Sequence, residues 1–147
     1  MQREGHGMIH SMEIKMYYED TDAGGVIYYA NHVKYMERGR TEYLNALGIS
    51  LPRLMEQGAL FTVTDLELHY RSYAQYGDVL VVETWLREVA AAFLIIEHRM
   101  KEKISGRLVA EGSTKLVCVS AQGKAKRIPR DMHKTLQAEL AAGTPGK

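Results

Sequence analysis

The segment NHVKYMERGRTEYLNAL, residues 31–47, decides the fold because it is the longest stretch of the chain with helical periodicity. Asn31 stands where a side chain would cap the first turn, and Gly48 stands where a left-handed residue would end the helix. Most polar residues fall on other faces, so the helix should pack one side against a sheet and turn the other to solvent or a second subunit. Its apolar side chains recur at spacings of three, four and seven: Val33, Met36, Tyr43, Leu44 and Leu47.

The rest of the chain is mostly strand, which predicts an α+β fold in which one antiparallel sheet wraps the long helix. The alternation of apolar residues changes phase near Thr64 and Asp65, and this change predicts a β-bulge. A sheet wrapped on one helix leaves free edges and apolar surface, so a homodimer or homotetramer is expected. Strands are expected over 11–18, 61–71, 78–89, 92–103 and 108–121, and further helices over 51–57, opened by Pro52, and over 131–142.

Length and composition indicate a single domain over residues 1–147, with a flexible segment at 1–10 and a C-terminal helix and tail at 131–147. The net charge of +1 argues against nucleic acid and anionic membranes as main partners. No apolar run approaches the roughly 20 residues of a membrane helix, and the N-terminus lacks the apolar core of a signal peptide. Cys118 is the only cysteine, which excludes a disulfide framework within one chain and favours a reducing, cytoplasmic location.

The loop before the helix, Asp-Thr-Asp-Ala-Gly-Gly at residues 20–25, is the main candidate for chemistry. The first turn of a helix offers N–H groups without internal partners and a partial positive charge, which suit a carbonyl oxygen that gains negative charge. A carboxylate beside it can attack an acyl carbon or activate water. Gly24 and Gly25 let the backbone pass close to a ligand. The same residues make a good turn in any protein, and the pattern alone does not decide between Asp20 and Asp22.

A calcium-binding loop is an alternative interpretation of this segment. Asp20, Asp22 and Gly25 match positions one, three and six of an EF-hand loop, but position twelve is Asn31 instead of the bidentate glutamate. The six histidines show no metal-ligand spacing, and Cys118 lies in an apolar strand, where a buried thiol is expected. We therefore expect no metal site.

The order of residues across this region closely resembles the hotdog-fold acyl-CoA thioesterases, and in particular the YbgC-like, Tol-Pal-associated group related to 4-hydroxybenzoyl-CoA thioesterase. The matching block is YEDTDAGGVIYYANHV, residues 18–33, followed by ERGRTE, residues 37–42. The similarity extends through Tyr70, Gly77-Asp78 and the segment KRIP at residues 126–129, so it covers most of the chain. It implies a long central helix wrapped by a curved antiparallel sheet, and hydrolysis of an acyl-CoA thioester to free acid and CoA.

The resemblance also implies the site. The second aspartate of the motif, Asp22, is the catalytic carboxylate, which acts as a nucleophile in some members and as a general base in others. The backbone N–H of Tyr29 polarises the thioester carbonyl, Tyr18 matches an aromatic position beside the site, and Gly25 and Tyr28 are expected to border the substrate. CoA belongs to the substrate, so no cofactor is implied. Basic residues late in the chain are expected at the CoA phosphates: Lys124, Lys126 and Arg127.

One position departs from the family pattern. The YbgC-like branch often has histidine where this chain has Tyr29, and the exchange keeps the backbone N–H but removes any side-chain role of that histidine. His32 is near in sequence, yet on a helix it would point to a different side, so its role stays open and a surface or packing role is favoured. Asp20 is expected to brace the loop. Two other functions stay open: a hotdog hydratase or dehydratase, disfavoured because those sites rely on a histidine at the matching position, and a non-catalytic acyl-CoA-binding module.

Overall fold

A computed structural model describes residues 7–143 as an α+β fold, in which a long helix lies against one antiparallel sheet. The elements are β1 (His10–Lys15), α1 (Asn31–Ala46), α2 (Leu51–Glu56), β2 (Leu60–Tyr70), β3 (Val79–Val89), β4 (Phe93–Glu102), β5 (Leu108–Val119) and α3 (Arg130–Ala141). The strand order in the sheet is β1-β3-β4-β5-β2, and every pairing is antiparallel. The fold class predicted from the sequence is confirmed.

Helix α1 packs against β3, β1 and β4. Its buried stripe begins at His32, so Val33 lies beside the stripe, is 37% exposed, and was wrongly assigned to the buried face. Gly39 lies closest to the sheet, because a Cβ there would come within 2.6 Å of Thr84 Oγ1. The stripe has the three- and four-residue spacing of one helix face: His32, Tyr35, Met36, Gly39, Tyr43 and Leu44.

The core divides into two clusters of buried apolar side chains. One cluster joins the second half of α1 to α3 and includes Leu44 and Leu136. The other joins the first half of α1 to β1 and includes Met36 and Ile14. The second cluster also contains Ile27, which belongs to the loop that precedes α1. Burial of this side chain anchors the candidate loop to the core.

Two details of the backbone confirm predictions from the sequence. The pairing of β2 with β5 shifts register between Val63 and Asp65, which confirms the β-bulge. Gly48 has a φ of 82°, which confirms a left-handed residue directly after α1. Both features follow from local chemistry, and this explains why the sequence was sufficient to predict them.

Two local predictions were wrong. Strand β1 ends at Lys15 instead of continuing to Tyr18, which begins a 3₁₀ turn. The expected N-cap, Asn31, is the first residue of α1, and Ala30 precedes it without a capping side chain. The side-chain amide of Asn31 donates instead to Oδ1 of Asp20 at 3.3 Å. The side chain of Asn31 therefore acts as a donor to the loop carboxylate, and it does not act as an acceptor for the N–H groups of the first turn.

The segment predicted to be flexible, residues 1–10, lies partly outside the described residues, and so does the end of the tail, residues 144–147. The described part of the N-terminus is packed against α3. The Met8 N–H donates to a carboxylate oxygen of Glu139 at 2.8 Å. Ile9 is buried in the same region.

Candidate active site

The loop between β1 and α1 folds back on itself. Thr21 pairs with Ile27 in an isolated antiparallel bridge, and the Tyr28 N–H donates to the Asp20 carbonyl at 2.8 Å. The Ile27 N–H donates to the carbonyl of Ala74, in the β2–β3 connection, at 2.9 Å. The loop is therefore closed at its base and tied to the sheet, with residues 22–25 at its tip.

Asp22 lies at this tip with its side chain exposed. Its Oδ1 accepts the Gly24 N–H at 2.8 Å, and its own N–H donates to the Val26 carbonyl at 2.8 Å. Gly25 has a φ of 83°, a left-handed conformation that completes the turn. Among residues 7–143, the other carboxylate oxygen of Asp22 has neither a hydrogen-bond donor nor a salt-bridge partner. The turn therefore orients the carboxylate and leaves one of its oxygens available to a ligand.

Asp20 has the opposite arrangement. Its Oδ2 accepts the Tyr17 N–H at 2.8 Å, and its Oδ1 accepts from the Asn31 amide at 3.3 Å. Both oxygens are thus used to join the 3₁₀ turn to the start of α1. The bracing role expected for Asp20 is confirmed.

Tyr29 lies two residues before α1 and is exposed. Its backbone N–H has no hydrogen-bond acceptor within the described part of the chain. Its carbonyl oxygen accepts two hydrogen bonds, from the Tyr70 hydroxyl at 2.6 Å and from His32 Nδ1 at 2.9 Å. The carbonyl of Tyr29 is therefore anchored by two side chains. Its N–H has no partner among the described residues and lies near the N-terminal end of the helix, where the helix dipole is positive.

His32 is not a surface residue, and it does not point away from the loop. Its side chain is 3% exposed and packs edge-on against Tyr70, with ring centroids 5.0 Å apart. Because a carbonyl oxygen only accepts, the Nδ1 atom that faces Tyr29 must carry a proton. Burial lowers the pKa of His32, and this favours the neutral ring with a proton on Nδ1.

Tyr70 contacts this site, although no role was predicted for it from the sequence. It ends strand β2, and the contact with the Tyr29 carbonyl crosses 41 positions of the chain. Its inclusion in the family resemblance was the only available signal. Nothing in the local pattern of β2 indicates that a hydroxyl at this end reaches the start of α1.

The other aromatic residues of the motif lie in the same loop. Tyr28 is exposed, and its ring centroid is 5.0 Å from that of Tyr29. Tyr18 is 78% exposed and meets Tyr76 edge-on at 6.1 Å. The described chain thus has a largely exposed aromatic surface around the loop.

The cations predicted to bind CoA lie at the opposite end of β2 from the contact between Tyr70 and Tyr29. Lys126 Nζ donates to the Gly58 carbonyl at 3.2 Å, next to the start of β2, whereas Tyr70 ends that strand. The 11 residues of β2 separate these points, a length of about 30 Å at roughly 3.3 Å per residue. Lys124 and Arg127 are exposed on the same connection after β5. Within one chain, the basic segment and the Tyr70 hydroxyl that contacts Tyr29 therefore lie at opposite ends of β2.

Within residues 7–143, no group of three or more histidine, cysteine, aspartate or glutamate side chains is arranged to hold a metal ion. No helix in that range is long and apolar enough to cross a membrane.

The sheet wrapped on α1 and the carboxylate loop at the N-terminus of that helix define the hotdog class of α+β proteins. The model of the thioesterase-like superfamily matches residues 18–136, and the chain belongs to this superfamily. The resemblance found in the sequence is confirmed.

Named relatives agree with this assignment. The acyl-CoA thioesterase YbgC of Haemophilus influenzae is 38% identical over 119 residues, which are 80% of this chain and 85% of that protein. The acyl-CoA thioester hydrolase YbgC of Escherichia coli O6:H1 is 33% identical over 127 residues, which are 86% of this chain and 92% of that protein. The crystal structure of a DHNA-CoA thioesterase from Staphylococcus aureus is similar with a TM-score of 0.84 and 28% identity, over 94% of this chain and 97% of that one.

Proposed function

We propose that the chain is an acyl-CoA thioesterase, which hydrolyses an acyl-CoA to the free acid and CoA. The observation that carries this proposal is that the segment between β1 and α1 contains two groups without hydrogen-bond partners among the described residues, one carboxylate oxygen of Asp22 and the N–H of Tyr29. The first group can act on an acyl carbon, and the second can donate a hydrogen bond that stabilises the negative charge on the acyl oxygen. The activities named for the YbgC relatives support the same reaction.

In the proposed mechanism, the thioester carbonyl oxygen lies against the Tyr29 N–H at the positive end of α1. Asp22 then attacks the acyl carbon, or takes a proton from a water molecule that attacks it. In the first route the carbon–sulfur bond breaks, CoA leaves as a thiolate that takes up a proton, and water hydrolyses the acyl-aspartyl anhydride. In the second route water adds directly, and the same bond then breaks. Both routes give free acid and CoA.

The remaining loop residues are proposed to border the substrate. The exposed rings of Tyr18 and Tyr28 can contact the acyl group, since aromatic side chains supply apolar area at little entropic cost. Gly25, at the tip beside Asp22, adds no side chain that would obstruct access. Neither a metal ion nor a bound cofactor is needed in either route.

The CoA phosphates are proposed to bind at the basic segment after β5. Lys124 and Arg127 are exposed there, whereas Lys126 is partly engaged by the Gly58 carbonyl. Arg127 also lines a groove of about 780 Å³ whose other basic residues include Arg130 and Lys134. About 30 Å of strand β2 separates Lys126 from Tyr70, whose hydroxyl contacts the Tyr29 carbonyl of the same chain. We therefore propose a homodimer or homotetramer in which the basic segment of one subunit contacts the CoA phosphates of a substrate bound at the loop of another.

The double variant Lys124→Ala/Arg127→Ala tests this phosphate site. Two lost charge contacts should raise KM about tenfold and leave kcat near the wild-type value, because these side chains do not touch the thioester. Lys103→Ala is the matched control, since Lys103 is an exposed cation at the other end of the sheet. A larger KM increase in Lys103→Ala than in the double variant would contradict this placement.

The activity itself is tested by thiol release from a panel of short, long and aromatic acyl-CoA substrates. The expected result is release of free CoA from at least one of them by the wild-type protein, and none by Asp22→Asn purified in the same way. Hydration of an enoyl-CoA without thiol release, or binding without turnover, would contradict the proposal. A cytoplasmic location and the absence of a nucleic-acid partner stay predictions from the composition.

A further inference from the structure

The Tyr29 carbonyl is held by side chains from two separate elements. The Tyr70 hydroxyl, at the end of β2, donates to it at 2.6 Å, and His32 Nδ1, in the first turn of α1, donates to it at 2.9 Å. The rings of the two donors pack edge-on with centroids 5.0 Å apart. Each donor therefore supports the position of the other.

The helix does not supply a backbone donor to this oxygen. The Val33 N–H, which would reach Tyr29 in a regular α-helix, donates to the Ala30 carbonyl at 3.2 Å. The Tyr29 carbonyl thus depends on the two side chains among the described residues. A carbonyl that lost both would seek another donor, and the peptide could rotate.

The neighbouring peptide is anchored as well. The Tyr28 carbonyl accepts the Asn31 N–H at 3.0 Å, and this carbonyl shares its peptide plane with the Tyr29 N–H. The planes on both sides of the Tyr29 Cα are therefore fixed. Together they set the direction of the one N–H in this segment that the proposed reaction uses.

We propose that Tyr70 and His32 are positioning residues that hold the Tyr29 N–H toward the thioester oxygen. This inference rests on the proposed function. Neither side chain needs to touch the substrate, and neither needs to exchange a proton during the reaction. They act through the geometry of the Tyr29 backbone. The stabilisation of an oxyanion by an N–H group weakens when that donor is displaced by a fraction of an ångström.

Both side chains are in the protonation state that this role requires. Burial, together with the nearby Tyr29, raises the pKa of Tyr70, so the hydroxyl keeps its proton at neutral pH. Burial lowers the pKa of His32, and the neutral ring still donates through Nδ1. A general acid or base would instead need an exposed ring, and the His32 side chain is 3% exposed.

Four variants separate positioning from catalysis. Tyr70→Phe removes one donor and keeps the ring, and His32→Leu removes the other donor. His32→Asn keeps a donor at nearly the same distance from the backbone as Nδ1, but it cannot act as an acid or base near neutral pH. Tyr73→Phe is the control, because it removes a hydroxyl from a tyrosine that is 72% exposed in the connection after β2.

The steady-state expectation is a loss in kcat with little change in KM. Tyr70→Phe and His32→Leu should each lower kcat about tenfold, since each removes one hydrogen bond that orients an oxyanion donor. His32→Asn should lie within about threefold of wild type, and Tyr73→Phe should be unchanged. A loss in His32→Asn equal to that in His32→Leu would overturn the proposal, because a positioning donor is rescued by the amide.

A second measurement does not depend on activity. The Tyr29 amide signal in a ¹⁵N–¹H correlation spectrum should shift or broaden in Tyr70→Phe and His32→Leu, and stay in place in Tyr73→Phe. An unmoved signal in the two variants would contradict the inference even if the wild type is a thioesterase. If the wild type releases no thiol from any substrate, the proposed function fails, and the spectra still report whether the two side chains hold this N–H.

Discussion

Two polar clusters lie along helix α1, and they differ in burial. The first, at the start of the helix, contains Asp22, Tyr29 and His32 and borders solvent. The second, beneath the middle of the helix, joins Thr84 to His98, with Thr84 Oγ1 and His98 Nδ1 3.1 Å apart. Both residues of the second cluster are essentially unexposed, and His98 Nε2 has no partner among the described residues.

The difference shows why a histidine in the core is not by itself a sign of catalysis. His98 is sealed by the sheet below and by α1 above, so no substrate can reach it. The first cluster combines anchored groups with groups left free: the Tyr29 carbonyl is held while its N–H is open, and one Asp22 oxygen is held while the other is open. Free polar groups that face solvent are available to a ligand, whereas a free polar atom in the core is a cost to stability.

The largest effect on stability should come from acid acting on the buried cluster. Burial, with a smaller contribution from Arg40, lowers the pKa of His98 from 6.5 to about 3. Between those values the unfolded chain binds a proton that the folded chain does not, so stability from this group is complete above pH 6.5 and falls as the pH is lowered. The slope is about 1.4 kcal/mol per pH unit, or about 2 kcal/mol by pH 5.

Urea unfolding at pH 7, 6 and 5 measures this slope. His98→Leu should be less stable at pH 7, because Thr84 loses its partner, but its stability should fall less steeply with acid. The comparison variant is His69→Leu, which replaces an exposed histidine outside this cluster. Equal slopes in all three proteins would show that His98 does not titrate as its burial requires.

A smaller effect on stability should follow from adding a methyl group to α1 where the helix meets this cluster. In Gly39→Ala the new Cβ would lie 2.6 Å from Thr84 Oγ1 and 3.0 Å from Val82 Cγ1. Overpacking of this kind costs about 1–3 kcal/mol, which should exceed the roughly 1 kcal/mol that alanine gains over glycine in a helix. Thermal or urea unfolding should therefore show a net loss, and adding Thr84→Ala should recover part of it. A more stable Gly39→Ala would mean that the helix does not pack this closely.

The sequence predicted most of the fold because its elements have local causes. The spacing of apolar residues predicted α1 and the strands, and the phase change at Thr64 predicted the bulge. Errors occurred in the segment that joins β1 to α1, where side chains of the loop bind the backbone and each other. The Asp20 carboxylate accepts the Tyr17 N–H just after β1, and it accepts the side-chain amide of Asn31, which lies inside α1 and not at its cap position.

The candidate site likewise contains features that could be predicted from the sequence and features that could not. The motif predicted the loop and the helix start, and it favours Asp22 over Asp20 as the catalytic residue. That assignment stays a prediction, and the two occupied oxygens of Asp20 are consistent with it. The positions of His32 and Tyr70 could not be predicted, since their shared contact joins α1 to the far end of β2. Lys124, Lys126 and Arg127 were expected at the CoA phosphates. The spacing of these residues in the sequence does not show how far they lie from the loop in the folded chain.

The central claim is that Asp22, and not Asp20, acts on the thioester. It is tested most directly by measuring kcat for Asp22→Asn and Asp20→Asn side by side on one substrate, with CoA binding measured by calorimetry. Asp22→Asn should lose at least several hundred-fold in kcat while binding CoA as the wild type does, and Asp20→Asn should lose stability but keep most of its turnover. Full turnover in Asp22→Asn, or a greater loss of kcat in Asp20→Asn, would contradict the account.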